Sequence, residues 1–428
     1  MVRLRLLASL TKSARGLVLT AACLVGIAVA FAGAGRELDE LVRAKRYQHF
    51  PKPISGELVV VTIDTPSIKT LGAWPWPRGR HGDLVSALDR AGAQRIAFDI
   101  LLDQPAADPR QDQRFAKAIA ATRASVYLPA LLENWDNQKE RHEALPTEAL
   151  LPLVTPVSAW IVSDNDQFHR RIALNAPVLG RTLPMMAQAL AGTAFPGEAR
   201  VLIDWSYWPG QIARISYSDV LAGNYPPGFF RGKSVLVGFD AFGFADQFSV
   251  PYHNKVAGLY IQAVASETLR AGLPVELGRL PALAAALLLV AGAVWFRPSI
   301  RYGLLGAGLA ALGPAQIYVE HVSVLRPDVG PAMIALIAAL AAQGLLTLAQ
   351  AMLDRITKSA EAGLPNLAAM ELNERDPGIT VVVSLRNYVE TTALLGFAAQ
   401  GKLLAKIRDR LVLAAGHEHI YQIDNHSF

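Results

Sequence analysis

Three aspartates close short apolar runs rich in β-branched residues. Asp64 ends "ELVVVTID" (57–64), Asp99 lies in "RIAFDILL" (95–102) with Asp103 just after it, and Asp240 ends "KSVLVGFD" (233–240). Runs of this kind read as strands buried on both faces, and in an open parallel sheet ligands gather at the carboxyl ends of the strands. Carboxylates placed there can cap helices and fix turns, or they can form a recognition rim for a small ligand. Between the first two runs lies "LGAWPWPRGRHGDL" (71–84), which sets Trp74, Pro75, Trp76, Pro77 and Arg78 in a row. Two interleaved prolines rule out a helix interior and a central strand. The stretch reads as a stiff turn beyond the first strand, with the indole rings packed on the sheet edge. Arg78 is the side chain there suited to an acid group, whether Asp64, Asp99 or a ligand.

Catalytic chemistry has less support. His81 and His169 have no companions at metal-ligand spacing, and no G-x-S-x-G turn is present. His81 reads as an ordinary helix-start residue. The single Cys23 sits in an apolar run, so neither a disulfide nor a cysteine metal site can form within the chain. No catalytic residue, metal or cofactor is expected.

The elements that must position these residues alternate. After the Trp-Pro turn, "HGDLVSALDRAGA" has Leu84, Val85 and Leu88 at helical spacing and Gly92 at its stop. Strand, helix and second strand make a unit that builds a parallel sheet by right-handed crossover. Further strands are expected at 124–131, 199–205 and 233–240, with helices over "YSDVLAG" and "LYIQAVASETLRAG". The region 36–279 thus reads as one α/β domain with a mainly parallel sheet, although 132–198 shows no clear period.

Outside that region the chain is greasy. Of its 428 residues 52% are hydrophobic and 18% charged, with mean hydropathy +0.27, a balance that calls for membrane spans beside soluble parts. Four stretches are expected to cross a bilayer, at 16–35, 280–296, 302–319 and 331–352. Glycines in the third suit close helix packing in lipid. Arg3, Arg5, Lys12 and Arg15 precede the first span, Arg297 and Arg301 follow the second, and Arg355 and Lys358 follow the fourth, whereas Glu320, Arg326 and Asp328 fill the loop between the third and fourth. The positive-inside rule then puts residues 1–15 and the C-terminal tail in the cytoplasm and 36–279 outside. The first span is expected to be a retained anchor, the alternative being a signal peptide cleaved at "AFAGA". The net charge of +5 is scattered and makes no basic helix, so nucleic acid is not an expected partner.

The residues 60–102, "VVTIDTPSIKTLGAWPWPRGRHGDLVSALDRAGAQRIAFDILL", resemble the opening of the type-2 CHASE domain, an extracellular sensor of bacterial signalling receptors. The shared features are a strand ending in Asp64, Gly72 and the turn Trp74–Arg78, a helix, Ala91–Ala93, and a strand ending in Phe98 and Asp99. "FRGKSVLVGFDAFGFADQFSVPY" resembles the family's second half, and "AGLYIQAVASETLRAG" its final helix, with Gln262 where a His is common. Three close spans after the domain also fit. The resemblance implies a sensor in the bacterial cytoplasmic membrane, contacting lipid, working as a homodimer and detecting an unknown extracytoplasmic ligand or protein. It assigns no ligand to any residue, so Asp64, Trp74, Trp76, Arg78, Asp99, Asp103 and Asp240 stand as rim residues in either the structural or the ligand-binding sense.

The tail 353–428 contains "GLPN" (363–366), a helix, an apolar run at 379–385, a long helix and a short closing strand, and is similar to the first half of a GGDEF domain, the fold of diguanylate cyclases. Joining two GTP molecules requires carboxylates to hold Mg²⁺. The position of the metal-binding Asp is Ser384, and Arg386 two residues on would repel a cation. The guanine-contacting pair falls on Thr392 and Ala393. The signature hairpin falls on Asp424, Asn425, His426, Ser427 and Phe428, of which only Phe428 keeps its residue type. The segment is expected to be catalytically dead, since nothing else supplies the lost electrostatic stabilisation.

The expected function is a membrane-bound receptor that relays an outside cue to a cytoplasmic cyclic di-GMP module; the chain itself is not expected to be an enzyme. One alternative is the N-terminal portion of a cyclic di-GMP phosphodiesterase whose EAL domain lies beyond residue 428. Another is a transporter or channel, against which the spans as bounded above carry no charged residue and no symmetric repeat.

Overall fold

Strand β1 (Leu58–Ile63) is buried along its whole length, and its alternation decides the architecture. Successive side chains of a strand point to opposite faces: Val59, Val61 and Ile63 enter one core with Leu84, Leu88, Phe98 and Phe115, whereas Leu58 and Val60 enter another with Met186, Leu190, Ile261 and Val264. The other strands of the sheet are β2 (Arg95–Phe98), β3 (Ser125–Asn134), β4 (Thr155–Ser158), β5 (Ala213–Ser216) and β6 (Ser234–Phe239). They lie in the order β5-β1-β6-β2-β3-β4, all parallel, and Arg141–Ala144 adds a seventh, antiparallel strand on the outer half of β3. Register pairs Ile63 with Phe239 and Val237 with Phe98, so Asp64, Asp240 and Asp99 leave the sheet at one edge. The expected mainly parallel sheet is present. The run at 199–205 does not join it: Arg200–Leu202 pairs antiparallel with Arg171–Ala173.

The computed structural model describes residues 14–134, 141–161, 163–164, 166–240, 246–358, 364–373, 381–393, 395–415, 420–423 and 427. From the amino end the helices are α1 (Ala14–Ala32), α2 (Arg36–His49), α3 (Thr65–Leu71), α4 (Gly79–Arg90), α5 (Pro109–Ala121), α6 (Met186–Ala191), α7 (Tyr217–Ala222), α8 (Gly258–Arg270), α9 (Leu280–Ala293), α10 (Pro298–Val322), α11 (Gly330–Thr357), α12 (Leu367–Asn373), α13 (Tyr388–Thr392) and α14 (Phe397–Ala415). The chain divides into two units. The sheet-containing unit is Arg36–Gly278 together with Gly313–Asp328; the other comprises residues up to Gly35, Arg279–Leu312 and residues from Val329. The segment Gly313–Asp328 belongs to the sheet-containing unit, although 313–319 was expected inside the third span and the rest in the loop after it; Leu325–Pro327 pairs in parallel with Val275–Gly278.

In the second unit α1, α9, α10 and α11 pack through Val18, Ala22, Ala286, Val290, Leu305, Ala332, Leu336 and Ala339, among which the alanines let helices approach closely. At Gly26 a Cβ would stand 2.9 Å from Leu283 Cδ1 and 3.0 Å from Ala335 Cβ. Among the described residues the expectation of four spans is corrected to two: α10 and α11 are long and apolar enough to cross a membrane, and the count rises to three if the broken pair α1 and α2 is taken as one span. The pair is broken by Gly33 and Gly35, both with positive φ. The 14 residues of α9 reach about 21 Å at about 1.5 Å per residue, short of a hydrocarbon core of about 30 Å. Helix α10 also outruns the expected limits and carries Arg301 and Glu320, both buried, near its two ends. Spans without charge hold only for the shorter limits.

The tail departs further from expectation. Residues 381–385 form no strand; among the described residues their one pairing is a single bridge, Ser384 to Ser427, and Val381 and Val382 are exposed. Among the described residues no strand covers the run, and of its side chains Leu385 packs beside Leu364, Tyr388 and Leu404. No GGDEF fold is established here. Asn366 does start α12, its Oδ1 accepting from the Ala369 N–H at 3.2 Å. Residues 1–13, Gly363, 379–380, Asp424, Asn425, His426 and Phe428 lie outside the described residues.

Candidate functional site

At the carboxyl edge of the sheet most of the expected rim residues have partners within the chain. Asp64 is the N-cap of α3: it accepts from the Ser67 N–H at 2.9 Å and from Thr62 Oγ1 at 3.3 Å, and also from the Ser216 hydroxyl. Burial would raise its pKa, but these hydrogen bonds outweigh burial and hold the carboxyl below its usual range. Asp240 accepts from the Tyr260 hydroxyl at 2.8 Å; burial pushes that phenol up to about 12. Asp103 accepts from its neighbour Gln104 at 3.4 Å. Asp99 has a different setting, since burial and then the negative charge of Asp246 push it up to about 6. The edge therefore brings together Asp64, Asp99 and Asp240 as expected, with Asp64 and Asp240 committed to internal bonds.

The Trp-Pro turn folds onto itself. Trp76 is 4% exposed, and its indole N–H donates to the Gly72 carbonyl at 2.8 Å. Gly72 has φ +88°, a conformation that favours glycine. Trp74 packs edge-on against Phe239 at 4.8 Å between centroids and against Trp76 at 5.3 Å. The indoles thus lie on the sheet edge as expected. Arg78 finds an acid, but neither Asp64 nor Asp99: its Nη1 meets Asp112 of α5 at 2.6 Å, and its Nη2 donates to the Gln104 carbonyl. Asp112 also accepts from the Ala106 N–H at 2.8 Å, so one ion pair fastens the turn to the loop after β2. The nearer expected partners are already used or lie elsewhere along the edge. His81 is more than a helix-start residue. It is buried among Trp74, Phe98, Phe115 and Tyr217, with Nδ1 2.8 Å from the Tyr217 hydroxyl, and burial, then Arg78 and Arg80, lower its pKa to about 4.

A second group of residues went unnoticed in the sequence. Asp204, fully buried, meets Arg46 Nη2 at 2.7 Å, Lys52 Nζ at 3.0 Å and Arg326 Nη2 at 3.2 Å, and accepts from Ser206 Oγ at 2.6 Å. Glu320, in the last turn of α10, is also fully buried and meets Arg43 at 3.0 Å and Arg46 at 3.1 Å; Arg43 reaches on to Asp328 at 2.9 Å. Burial would raise the pKa of Asp204, but Arg46, Lys52 and Arg326 hold it well below the carboxylate range. Arg43 and Arg46 are one helical turn apart on α2, so one face of that helix carries both guanidinium groups into the interior. That i, i+3 pair, and an Asp directly after "VLI", were the available signals; what the sequence could not give was that both converge on a Glu more than 270 residues away.

Two measurements follow. Arg78→Ala leaves Asp112 buried without its cation and should cost about 3 kcal/mol, read as a lowered unfolding midpoint of the detergent-solubilised chain; an unchanged midpoint would contradict the bracing role. The second concerns pH. The folded-state pKa of His81 is about 4 against 6.5 unfolded, so its contribution is full above pH 6.5 and is lost as pH falls through 4. The folded-state pKa of Asp99 is about 6 against 3.8, so its contribution is full below pH 3.8 and is lost as pH rises through 6. The two oppose each other across the same window, each worth roughly 2–3 kcal/mol. Asp99→Asn should steepen the loss of stability on acidification from about pH 6.5 to about 4, and His81→Gln should reverse its sign. Parallel pH profiles for all three proteins would refute both assignments.

The CHASE2 domain family matches residues 18–296. No curated protein and no solved structure matches the chain. The match takes in α1, the whole parallel sheet with its Trp-Pro turn and Asp204, and the helices as far as α9, which is more than half of the sequence. The chain belongs to the CHASE2 domain family.

Proposed function

We propose that this protein is a membrane-bound sensory receptor whose α/β domain faces the extracytoplasmic side, detects a cue there, and relays it through its apolar helices to a cytoplasmic cyclic di-GMP signalling module. CHASE2 is a family of extracellular sensor domains, and apolar helices follow the sheet in this chain. The observation that carries the relay is the buried charge cluster: Glu320, in the last turn of a helix apolar enough to span a bilayer, is ion-paired with two arginines of the sensor unit and through Arg46 with Asp204. A cue that shifts α2 or the Asp204 turn therefore acts on the end of α10. Such coupling needs the cue to favour one of two arrangements. The distribution of charge supports the orientation, because Arg297 and Arg301 lie at the start of α10 and Arg355 and Lys358 at the end of α11, opposite the end that bears Glu320 and Asp328. A homodimer is the expected working form.

The tail 353–428 is read as the degenerate opening of a GGDEF-like domain. Ser384 and Ser427, two of the lost cyclase positions, are joined by an antiparallel bridge; neither can hold a metal as a carboxylate would. Arg386 is exposed beside them, Ala393 is exposed too, and the Thr392 hydroxyl donates to the Tyr388 carbonyl of its own helix at 2.7 Å.

In a Cys23→Ser background, Leu153→Cys on the sensor unit and Leu413→Cys on α14 are both at exposed positions, 40% and 83% accessible. A membrane-impermeant maleimide applied to intact spheroplasts should label the first and reach the second only after permeabilisation; the opposite pattern would overturn the orientation. Purified chain given GTP and Mg²⁺ should make no cyclic di-GMP, and detectable product would end the reading of the tail as inactive.

A further inference from the structure

Beside the charge cluster the sensor unit is hollow. A cavity of about 340 Å³ is lined by Lys52, Asp204 and Arg326 and, at the end of α10, by His321 and Val322, a volume at the low end of small-molecule sites. Its charged wall belongs to a wider network of ion pairs. Arg43, Arg46, Lys52 and Arg326 are joined there to three carboxylates, those of Asp204, Glu320 and Asp328. Glu40 approaches Arg43 at 3.5 Å and shares Arg170, at 3.0 Å, with Asp164 and Asp166. Every cation of the network thus has a carboxylate partner, and at the cavity wall itself two cations stand against one carboxylate, Asp204. Two of the four cations, Lys52 and Arg326, line the cavity. The Lys52 ammonium has three N–H donors; it gives one to Asp204 Oδ2 at 3.0 Å and one to the Glu320 carbonyl at 3.1 Å, which leaves a third.

The position of the cavity narrows the kind of anion. Val322 and Tyr318, in the last two turns of α10, are 60% and 68% exposed, and Phe50, also exposed, packs edge-on against His321. On the reading that α10 crosses the membrane, these apolar side chains sit at the water–lipid boundary, where Tyr and Phe are at home, and the cavity opens beside them. The anion most concentrated at that level is the phosphate of a lipid headgroup, and Lys and Arg are the side chains suited to it. We propose that this cavity is a phosphate site in which Lys52 and Arg326 hold the headgroup phosphate of an anionic membrane lipid. The site would make the membrane a structural ligand of the sensor, bound against the same cations that hold Asp204.

The test uses the full chain, purified in detergent and exposed to lipid. Wild-type protein should retain phosphatidylglycerol over phosphatidylcholine by about tenfold in native mass spectrometry, the ratio that about 1.4 kcal/mol gives. Lys52→Gln combined with Arg326→Gln should abolish the preference. Because those changes also unpair Asp204, Ala271→Phe is the second variant: Ala271 lines the cavity at the surface and is absent from the ion pairs, so it should lower retention while the unfolding midpoint is kept. A parallel arm offers inorganic phosphate to the lipid-free protein. Binding of phosphate without any lipid preference would keep the anion site and reassign it to a free ligand. Equal retention of both lipids in wild type and Ala271→Phe, together with no phosphate binding, would overturn the proposal. Extraction of the chain from membranes by alkaline carbonate would sink the membrane reading separately, and the phosphate arm would then decide the site alone.

Discussion

An ionised carboxylate inside a protein has to be met by charge, and Asp204 is met three times. Arg46 reaches it from α2, Lys52 from the irregular segment that leads into β1, and Arg326 from the segment after α10. None of these elements could take its place without the others, because removing one partner from a buried pair leaves the other without solvation. The same cluster draws in Glu320 and fixes Leu325–Pro327 beside Val275–Gly278. The amphipathic face of α2, the turn at 204–206 and the position of the 313–328 segment all follow from placing these charges out of water.

The carboxyl edge of the sheet tells a different story from the one its aspartates suggest. Asp64 and Asp240 look available in sequence, but local donors reach them first: backbone and hydroxyls of α3 and β5 for Asp64, the Tyr260 phenol for Asp240. Arg78 is taken by Asp112. What the edge keeps in reserve is protonation chemistry, in Asp99 raised by burial and Asp246, and His81 lowered by burial within an aromatic nest. Neutral His81 accepts or donates to Tyr217 without asking for a counter-charge, which is why a histidine can sit among four aromatic rings.

Much of this was legible in sequence wherever a local pattern carries the information. The β-branched runs at 57–64, 95–102 and 233–240 became the centre of the parallel sheet, and the Trp-Pro stretch marked both the turn and the family. The run at 199–205 looked like its fellows, but three residues cannot announce which sheet they join. The span count failed for a reason of length: apolar composition at 280–296 does not tell that the helix stops after Ala293, nor that Gly33 and Gly35 break the first apolar segment from α2. The charge cluster was illegible because each member looks ordinary in its own neighbourhood, and its meaning lies in contacts across 122 to 285 residues. The apolar run 379–385 is the converse case, a strong strand pattern with no partner strand among the described residues.

Glu320 sits on a helix, and a helix couples sliding to turning: each residue of advance is roughly 1.5 Å along the axis and about 100° around it. Arg43 and Arg46 grip the two oxygens of one carboxylate from one face of α2. A shift of α10 by a single residue in register would therefore swing that acid away from both guanidinium groups into surroundings that cannot solvate it. The arrangement behaves as an index pin. A register shift at this end of α10 therefore carries the cost of parting a buried acid from two cations at once.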